Sequence, residues 1–170
     1  RITVSDPVEK VRLMLAEKDV HVTDDNAAAI RDADIVVFAV KPQVFAGILK
    51  PLKGQLEGKL VISIVAGAEI ATIASILETG RIVRVMPNTP ALVQTGAHGL
   101  FANAAVTAQD RELASQVLAS TGLTIWVNSE AQIDAVTAVS GSGPAYFFYM
   151  MESMIRAGKN LGLDEKVATA

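Results

Sequence analysis

The sequence predicts an α/β protein in which a mostly parallel sheet is followed by an all-α unit. Three observations carry this prediction. Short apolar segments alternate with helix-like ones from Arg1 to Met86, and such alternation implies parallel strands joined by right-handed crossovers. Two more strand-like stretches, "AHGLFAN" (Ala97 to Asn103) and "TIWVN" (Thr124 to Asn128), extend the sheet. From Ala131 the pattern turns helical almost to the end. Residues 1–128 are therefore expected to form one unit and residues 129–170 the start of a second.

Each element has its own signal. "RITVS" (Arg1 to Ser5) reads as a strand, Val8 to Lys18 as an amphipathic helix, and "VHV" (Val20 to Val22) as a short strand. Ala27 to Asp32 reads as a short helix, with Asp25 and Asn26 as candidate N-caps. "DIVVFAV" (Asp34 to Val40) is almost continuously apolar, as expected of a strand buried on both faces. A helix over Pro42 to Leu52 starts on proline, whose missing N–H costs nothing in a first turn. "KLVISIV" (Lys59 to Val65) is the next buried strand, Glu69 to Leu77 a helix, and "RIVRVM" (Arg81 to Met86) a strand. Ala108 to Ser120 reads as the helix between the last two strands.

Composition narrows the classes. Apolar residues make up 51% of the 170-residue chain and charged residues 19%. That apolar supply is rich for a domain of this size, and it points to surface buried against another segment or subunit. No apolar run approaches the roughly 18 residues a membrane span needs, so a soluble, cytoplasmic protein without a membrane partner is expected. There is no cysteine, which excludes disulfides, thiolate catalysis and Cys-ligated metal. The net charge is −3 with no basic block, which argues against nucleic acid as a partner. No signal peptide is evident. The chain opens on a strand-like stretch and stops within a helix-like one, so a piece of a longer polypeptide is expected.

In an open α/β sheet, ligands bind beyond the carboxyl ends of the strands. Five groups follow strands here: Ser5-Asp6-Pro7, Thr23 to Asn26, Val40-Lys41-Pro42, Ala66-Gly67 and Met86 to Pro90. All are small, polar or turn-forming, and Lys41 adds a cation at the tip of the most apolar strand. Each has an ordinary reading too. Any βα loop is rich in such residues, Ala66-Gly67 alone reads as a turn, Asn26 and Asp6 could be helix caps, and Lys41 alone is a solvated charge. Their shared edge is what favours a long, nucleotide-like ligand. No other chemistry competes. His21 and His98 have no paired carboxylate, no metal-ligand cluster exists, and no Gly-x-Ser-x-Gly elbow is present. Trp126 and the Phe147, Phe148, Met150, Met151 cluster read as core or interface.

Four segments resemble the Δ1-pyrroline-5-carboxylate reductase family. They are "AVKPQ" (Ala39 to Gln43), the "VAG"-containing stretch around Ile62 to Gly67, "RVMPNTPALVQTGA" (Arg84 to Ala97) and "IDAVTAVSGSGPAYFF" (Ile133 to Phe148). The resemblance covers essentially the whole chain in order. It implies a Rossmann-like domain followed by an all-α dimerisation domain, and NADP(H)- or NAD(H)-dependent reduction of pyrroline-5-carboxylate to L-proline. It further implies that Val40, Lys41 and Pro42 lie along the dinucleotide. Ser5, Asp6 and Asn26 would lie near the adenosine ribose, and Ala66, Gly67, Asn88, Thr89 and Pro90 near the nicotinamide. Ser140, Gly141, Ser142, Gly143 and Pro144 would sit at the domain junction beside the substrate. By the same resemblance a first strand with a Gly-rich loop should precede Arg1, and a substrate-carboxylate loop should follow Ala170.

No acid in the chain is an obvious proton donor, so the proton is expected from solvent or a hydroxyl. Ser140 to Pro144 are expected to turn tightly and open a helix whose free N–H groups could meet a carboxylate; a plain helix–helix hinge is the bland alternative. Two rivals stay open. One is a different β-hydroxyacid-type dehydrogenase, although "KNLG" (Lys159 to Gly162) lacks the lysine spacing it would show. The other is a dinucleotide-binding module without chemistry. Tyr146 to Met151 are six consecutive apolar or aromatic residues. A helix packed on one side buries only a stripe of about 100°, so a homodimer or larger assembly through this helix is expected.

Overall fold

The computed structural model describes residues 1–170. Strand β1 (Thr3–Ser5) leads through helix α1 (Glu9–Ala16) to β2 (His21–Thr23), and α2 (Asn26–Ile30) leads on to β3 (Ile35–Phe38). Then come α3 (Pro42–Leu49), β4 (Leu60–Ser63), α4 (Ile70–Leu77), β5 (Ile82–Met86), β6 (Gly96–Ala102), α5 (Ala108–Ala119) and β7 (Gly122–Trp126). The rest is helical: α6 (Ala131–Val136), a π-turn over Thr137–Gly141, α7 (Gly143–Asn160) and α8 (Glu165–Thr169). No helix is long and apolar enough to cross a membrane.

The strands form two sheets, which corrects the expectation of one. β1 pairs only with β2, in parallel. A second sheet runs in the order β3-β4-β5-β6-β7, with β3, β4 and β5 mutually parallel and β6 antiparallel to β5. Ladder bonds need a neighbour about 4.8 Å away, and no strand links β1 to β3. The reversal at β6 has a local cause. β5 and β6 are joined by a short 3₁₀ segment, Thr89–Val93, and a connection that short can only return antiparallel.

The core lies on both faces of the larger sheet. One cluster joins Ile30 of α2, Leu49 of α3 and Ile73 and Leu77 of α4 to Val36, Phe38, Val61 and Ile82. The opposite cluster joins Ala114 and Leu118 of α5 to Ile62, Val83, Val85 and Leu100. β4 and β5 are buried along their whole length, as their apolar runs require. β3 departs from the expected burial on both faces: Val36 and Phe38 are buried, but Val37 is 44% exposed. The helices that follow β2, β3 and β4 all gather on the other face, and nothing covers Val37. The helix expected to reach Leu52 ends at Leu49 and continues as a 3₁₀ turn, Lys50–Leu52. Pro51 has no N–H to carry the α-ladder further.

α6 lies against β5 and β6. The contact depends on Gly99, because a Cβ there would stand 2.9 Å from Val136 Cγ1. α7, by contrast, leaves Tyr146, Phe147, Phe148, Tyr149, Met150 and Met151 all more than half exposed.

Candidate functional site

Three of the expected groups sit together. Val40-Lys41-Pro42, Ala66-Gly67 and Met86 to Pro90 follow the carboxyl ends of β3, β4 and β5, which are adjacent in one sheet. Lys41 is the N-cap of α3 and its side chain caps nothing. Its ammonium is exposed and makes no ion pair. Gly67 has φ +72°, a conformation that favours glycine, and the space where its Cβ would stand is open. Because β6 runs antiparallel, it brings Gly96 and Ala97 back to this same edge.

Asn88 closes the edge onto the α-helical part. Its Oδ1 accepts the Ala97 N–H at 2.9 Å. Its Nδ2 donates to the Ser140 carbonyl at 3.3 Å and to Ser140 Oγ at 3.2 Å. The "MPNTP" and "SGSGP" motifs, fifty-two residues apart at Asn88 and Ser140, are thus in contact. The "SGSGP" segment does not begin a fresh helix, contrary to expectation. The chain runs from α6 through the π-turn directly into α7, with the Ser142 N–H donating to the Thr137 carbonyl at 2.9 Å. The first-turn N–H groups are therefore partly spent inside the chain. Single π-turns inside α-helices recur at functional sites. Gly141 lies against Met86, whose Sδ would be 3.7 Å from an added Cβ. Gly143 and Pro144 follow at the start of α7, half-buried.

Ser5, Asp6 and Asn26 are at the carboxyl ends of β1 and β2, which pair with each other in the two-stranded sheet. Asp6 Oδ1 accepts the Val8 N–H at 2.7 Å and so caps the turn into α1. Of the two candidate caps for α2, Asp25 is the one used: its Oδ1 accepts from Ala27 and Ala28 N–H at 2.9 and 3.1 Å. Asn26 is the first helical residue, and its exposed amide makes no bond within the chain. Arg12 was not singled out from the sequence. Its Nη1 donates to the Asp6 carbonyl at 2.7 Å, and its Nη2 is 3.8 Å from Asp24 Oδ2. On a helix face it reads as one solvated charge among several, so the sequence carries no signal for it.

Arg84 is a second residue the sequence reading passed over, and here a signal existed. A cation in the middle of "RIVRVM" cannot be buried without partners. Its side chain is 3% exposed, with Nη1 3.2 Å from Glu130 Oε1 and Nη2 3.1 Å from Asp134 Oδ1. Glu130 Oε1 also accepts the Ile70 N–H at 2.8 Å, at the start of α4. One carboxylate thereby ties α6 to β5 and to the helix that follows Ala66-Gly67.

Two titrating groups are perturbed by their surroundings. Burial holds the His98 imidazole below its ordinary value, against an opposing hydrogen bond with Thr121. Thr121 Oγ1 gives its proton to the Leu118 carbonyl at 2.8 Å, so it accepts from His98 Nε2 at 2.9 Å, leaving Nδ1 buried and unpaired. This is a core histidine. Asp110 is pushed up by burial, but the Thr107 N–H, the Thr107 hydroxyl and Arg81 outweigh that and hold its carboxyl below the usual range. It forms the capping box of α5 with Thr107. No group of three or more His, Asp or Glu side chains is arranged to hold a metal ion.

The chain is similar to known proteins along nearly its whole length. Residues 130–170 match a family model described as pyrroline-5-carboxylate reductase dimerisation, and residues 1–67 one described as NADP oxidoreductase, coenzyme F420-dependent. A pyrroline-5-carboxylate reductase of Pseudomonas aeruginosa is 47% identical over 99% of this chain and 63% of its own length. One from Haemophilus influenzae is 44% identical over 99% of the chain and 63% of its own length. The solved pyrroline-5-carboxylate reductase of Coxiella burnetii superposes with a TM-score of 0.90 at 41% identity, covering 99% of this chain and 64% of that one. The Plasmodium falciparum pyrroline carboxylate reductase, solved with NADP bound, gives 0.83 at 34% identity, covering 88% and 57%. The chain thus spans a little under two thirds of the curated relatives it matches, and over that span it is similar to pyrroline-5-carboxylate reductases.

Proposed function

We propose that the polypeptide containing this chain reduces 1-pyrroline-5-carboxylate to L-proline with NAD(P)H, the last step of proline biosynthesis. The observation that carries the reading is the Asn88–Ser140 contact. It sets "SGSGP" against the edge where Val40-Lys41-Pro42, Ala66-Gly67 and Asn88-Thr89-Pro90 gather. A dinucleotide lying along that edge would end beside Ser140 to Pro144, which we assign to the substrate. We assign residues 1–128 to the dinucleotide and residues 129–170 to the substrate and subunit contacts.

The residues fit such a cofactor. The Asn26 amide and the Lys41 ammonium make no bonds within the chain, the Gly67 turn is open, and Ala66 and Gly67 are exposed. Asn26, with Ser5 and Asp6, would face the adenosine ribose, and Lys41 the dinucleotide backbone. When bound, the reduced nicotinamide supplies hydride. The chain's own part is placement. Alignment of reacting groups contributes on the order of 7 kcal/mol or more to lowering a barrier. The carboxylates nearest the junction, Glu130 and Asp134, are committed to Arg84. The imine nitrogen would take its proton from solvent or a hydroxyl. Hydride addition to the iminium carbon would move the C=N π pair to nitrogen and leave the neutral ring amine without a further proton.

The exposed α7 helix fits a homodimer or larger assembly, with Tyr146 to Met151 in the shared core. The experiment for the function is spectrophotometric: NAD(P)H oxidation by the full-length protein, driven by pyrroline-5-carboxylate, with L-proline as product. Cofactor binding without oxidation would leave only a dinucleotide-binding module.

A further inference from the structure

We infer that Asn88 is a positioning residue that turns the Ser140 hydroxyl outward as a hydrogen-bond donor to the substrate. The inference rests on the reading above and reassigns Asn88 from the cofactor to this task. The orientation of the Asn88 amide is fixed by its partners. The Ala97 N–H can only donate, so it must meet Oδ1. The Ser140 carbonyl can only accept, so it must meet Nδ2. Exchanging the two amide atoms would break both bonds at once.

That orientation settles the direction of the Ser140 hydroxyl. Nδ2 carries no lone pair to offer, so at the 3.2 Å contact Ser140 Oγ is the acceptor. Its own proton must point elsewhere, and no acceptor within the chain takes it. The neighbouring serine is different. Ser142 Oγ donates to the Thr137 carbonyl at 3.1 Å, so its proton is spent inside the π-turn. Of the two serines in "SGSGP", Ser140 alone keeps a proton for a ligand. It is half-buried, at the carboxyl edge of β5. The substrate carries a carboxylate, an acceptor of the right sign, which Ser140 would share with the loop expected after Ala170. Asn88 would not touch the substrate; it acts through Ser140.

The test is steady-state kinetics on the full-length enzyme. Hydrogen bonds to charged groups support roughly 10- to 100-fold in affinity. Ser140→Ala should therefore raise the KM for the imine, or lower kcat/KM, by about that factor, with the cofactor Kd changed less than about two-fold. Ser140→Thr keeps the hydroxyl and should recover most of the loss. Asn88→Asp keeps an acceptor for Ala97, but its carboxylate would take the Ser140 proton and turn it inward. It should impair the imine at least as much as Ser140→Ala, again sparing the cofactor. The double variant Asn88→Asp/Ser140→Ala should lose less than the product of the two single losses, since both act through one hydroxyl. Ser140→Ala with unchanged imine kinetics would overturn the inference while leaving the function standing. So would Asn88→Asp weakening the cofactor alone. A wild-type enzyme that does not reduce the imine overturns the function and this inference together. If Asn88→Asp does not fold, Ser140→Ala and Ser140→Thr still decide the matter.

Discussion

Glu130→Ala should be the most damaging single truncation at the junction between sheet and α6, because it strands a buried charge. Glu130 Oε1 holds Arg84 Nη1 at 3.2 Å and the Ile70 N–H at 2.8 Å. The Arg84 side chain is 3% exposed, Glu130 28% and Asp134 74%. Breaking a buried pair from one side costs about 3–5 kcal/mol, and losing an acceptor at a helix start costs about 1 kcal/mol. Asp134 still faces Arg84 Nη2 after the change, but so exposed a carboxylate contributes only about 0.2–1 kcal/mol. Glu130→Ala is therefore expected to lose about 3–5 kcal/mol, and Asp134→Ala less than about 1. In a protein of this size about 1 kcal/mol moves Tm by roughly 2–4 °C, so the two variants should separate clearly. Urea unfolding of the full-length protein, with Tm as a second readout, measures both. The reasoning makes a sharper demand as well. If the damage is an orphaned guanidinium and not a lost attraction, Arg84→Met in the Glu130→Ala background should restore most of the stability. Equal losses in Glu130→Ala and Asp134→Ala, or no rescue by Arg84→Met, would refute it.

Four further outcomes are expected. Gly99→Ala should cost about 1–3 kcal/mol by overpacking against Val136, whose Cγ1 and Cγ2 would lie 2.9 and 3.0 Å from the new methyl; adding Val136→Ala should return part of it in the same melts. His98 has a folded pKa below its ordinary 6.5, so below that pH the unfolded chain binds more protons. Stability should then fall as pH drops through that window, and His98→Gln should flatten the slope of Cm against pH. Asp6→Ser should raise kcat/KM for NADPH relative to NADH, since an acid near the ribose disfavours a 2′-phosphate; an unchanged ratio counts against that placement of Asp6. Phe148→Asp should give aggregation or unfolding in light scattering, because burying such a side chain contributes roughly 1.5–3 kcal/mol; a folded, monomeric variant would show that α7 does not hold the subunits together.

What could be read in advance follows from what each signal depends on. β4 and β5 were legible because an apolar run needs no partner to be recognised, and the start of α3 because proline at a first turn is a local fact. The split into two sheets was not legible, since pairing between β1 and β3 depends on spatial neighbours and not on either segment's pattern. Val37 shows the same limit: "DIVVFAV" encodes a strand, but which of its faces is covered is decided by helices placed elsewhere. Arg84 stands between, because a cation inside a buried strand announces that partners exist without naming Glu130 and Asp134. Asn88 is the hardest case. In sequence it is one polar residue in a turn cluster, equally able to face a cofactor or to serve the fold. Only the two opposed partners of its amide, one that must donate and one that must accept, remove the choice. The same constraint then passes to Ser140, whose proton is left pointing away from Asn88, and it is in this way that a structural hydrogen bond comes to direct a chemical group.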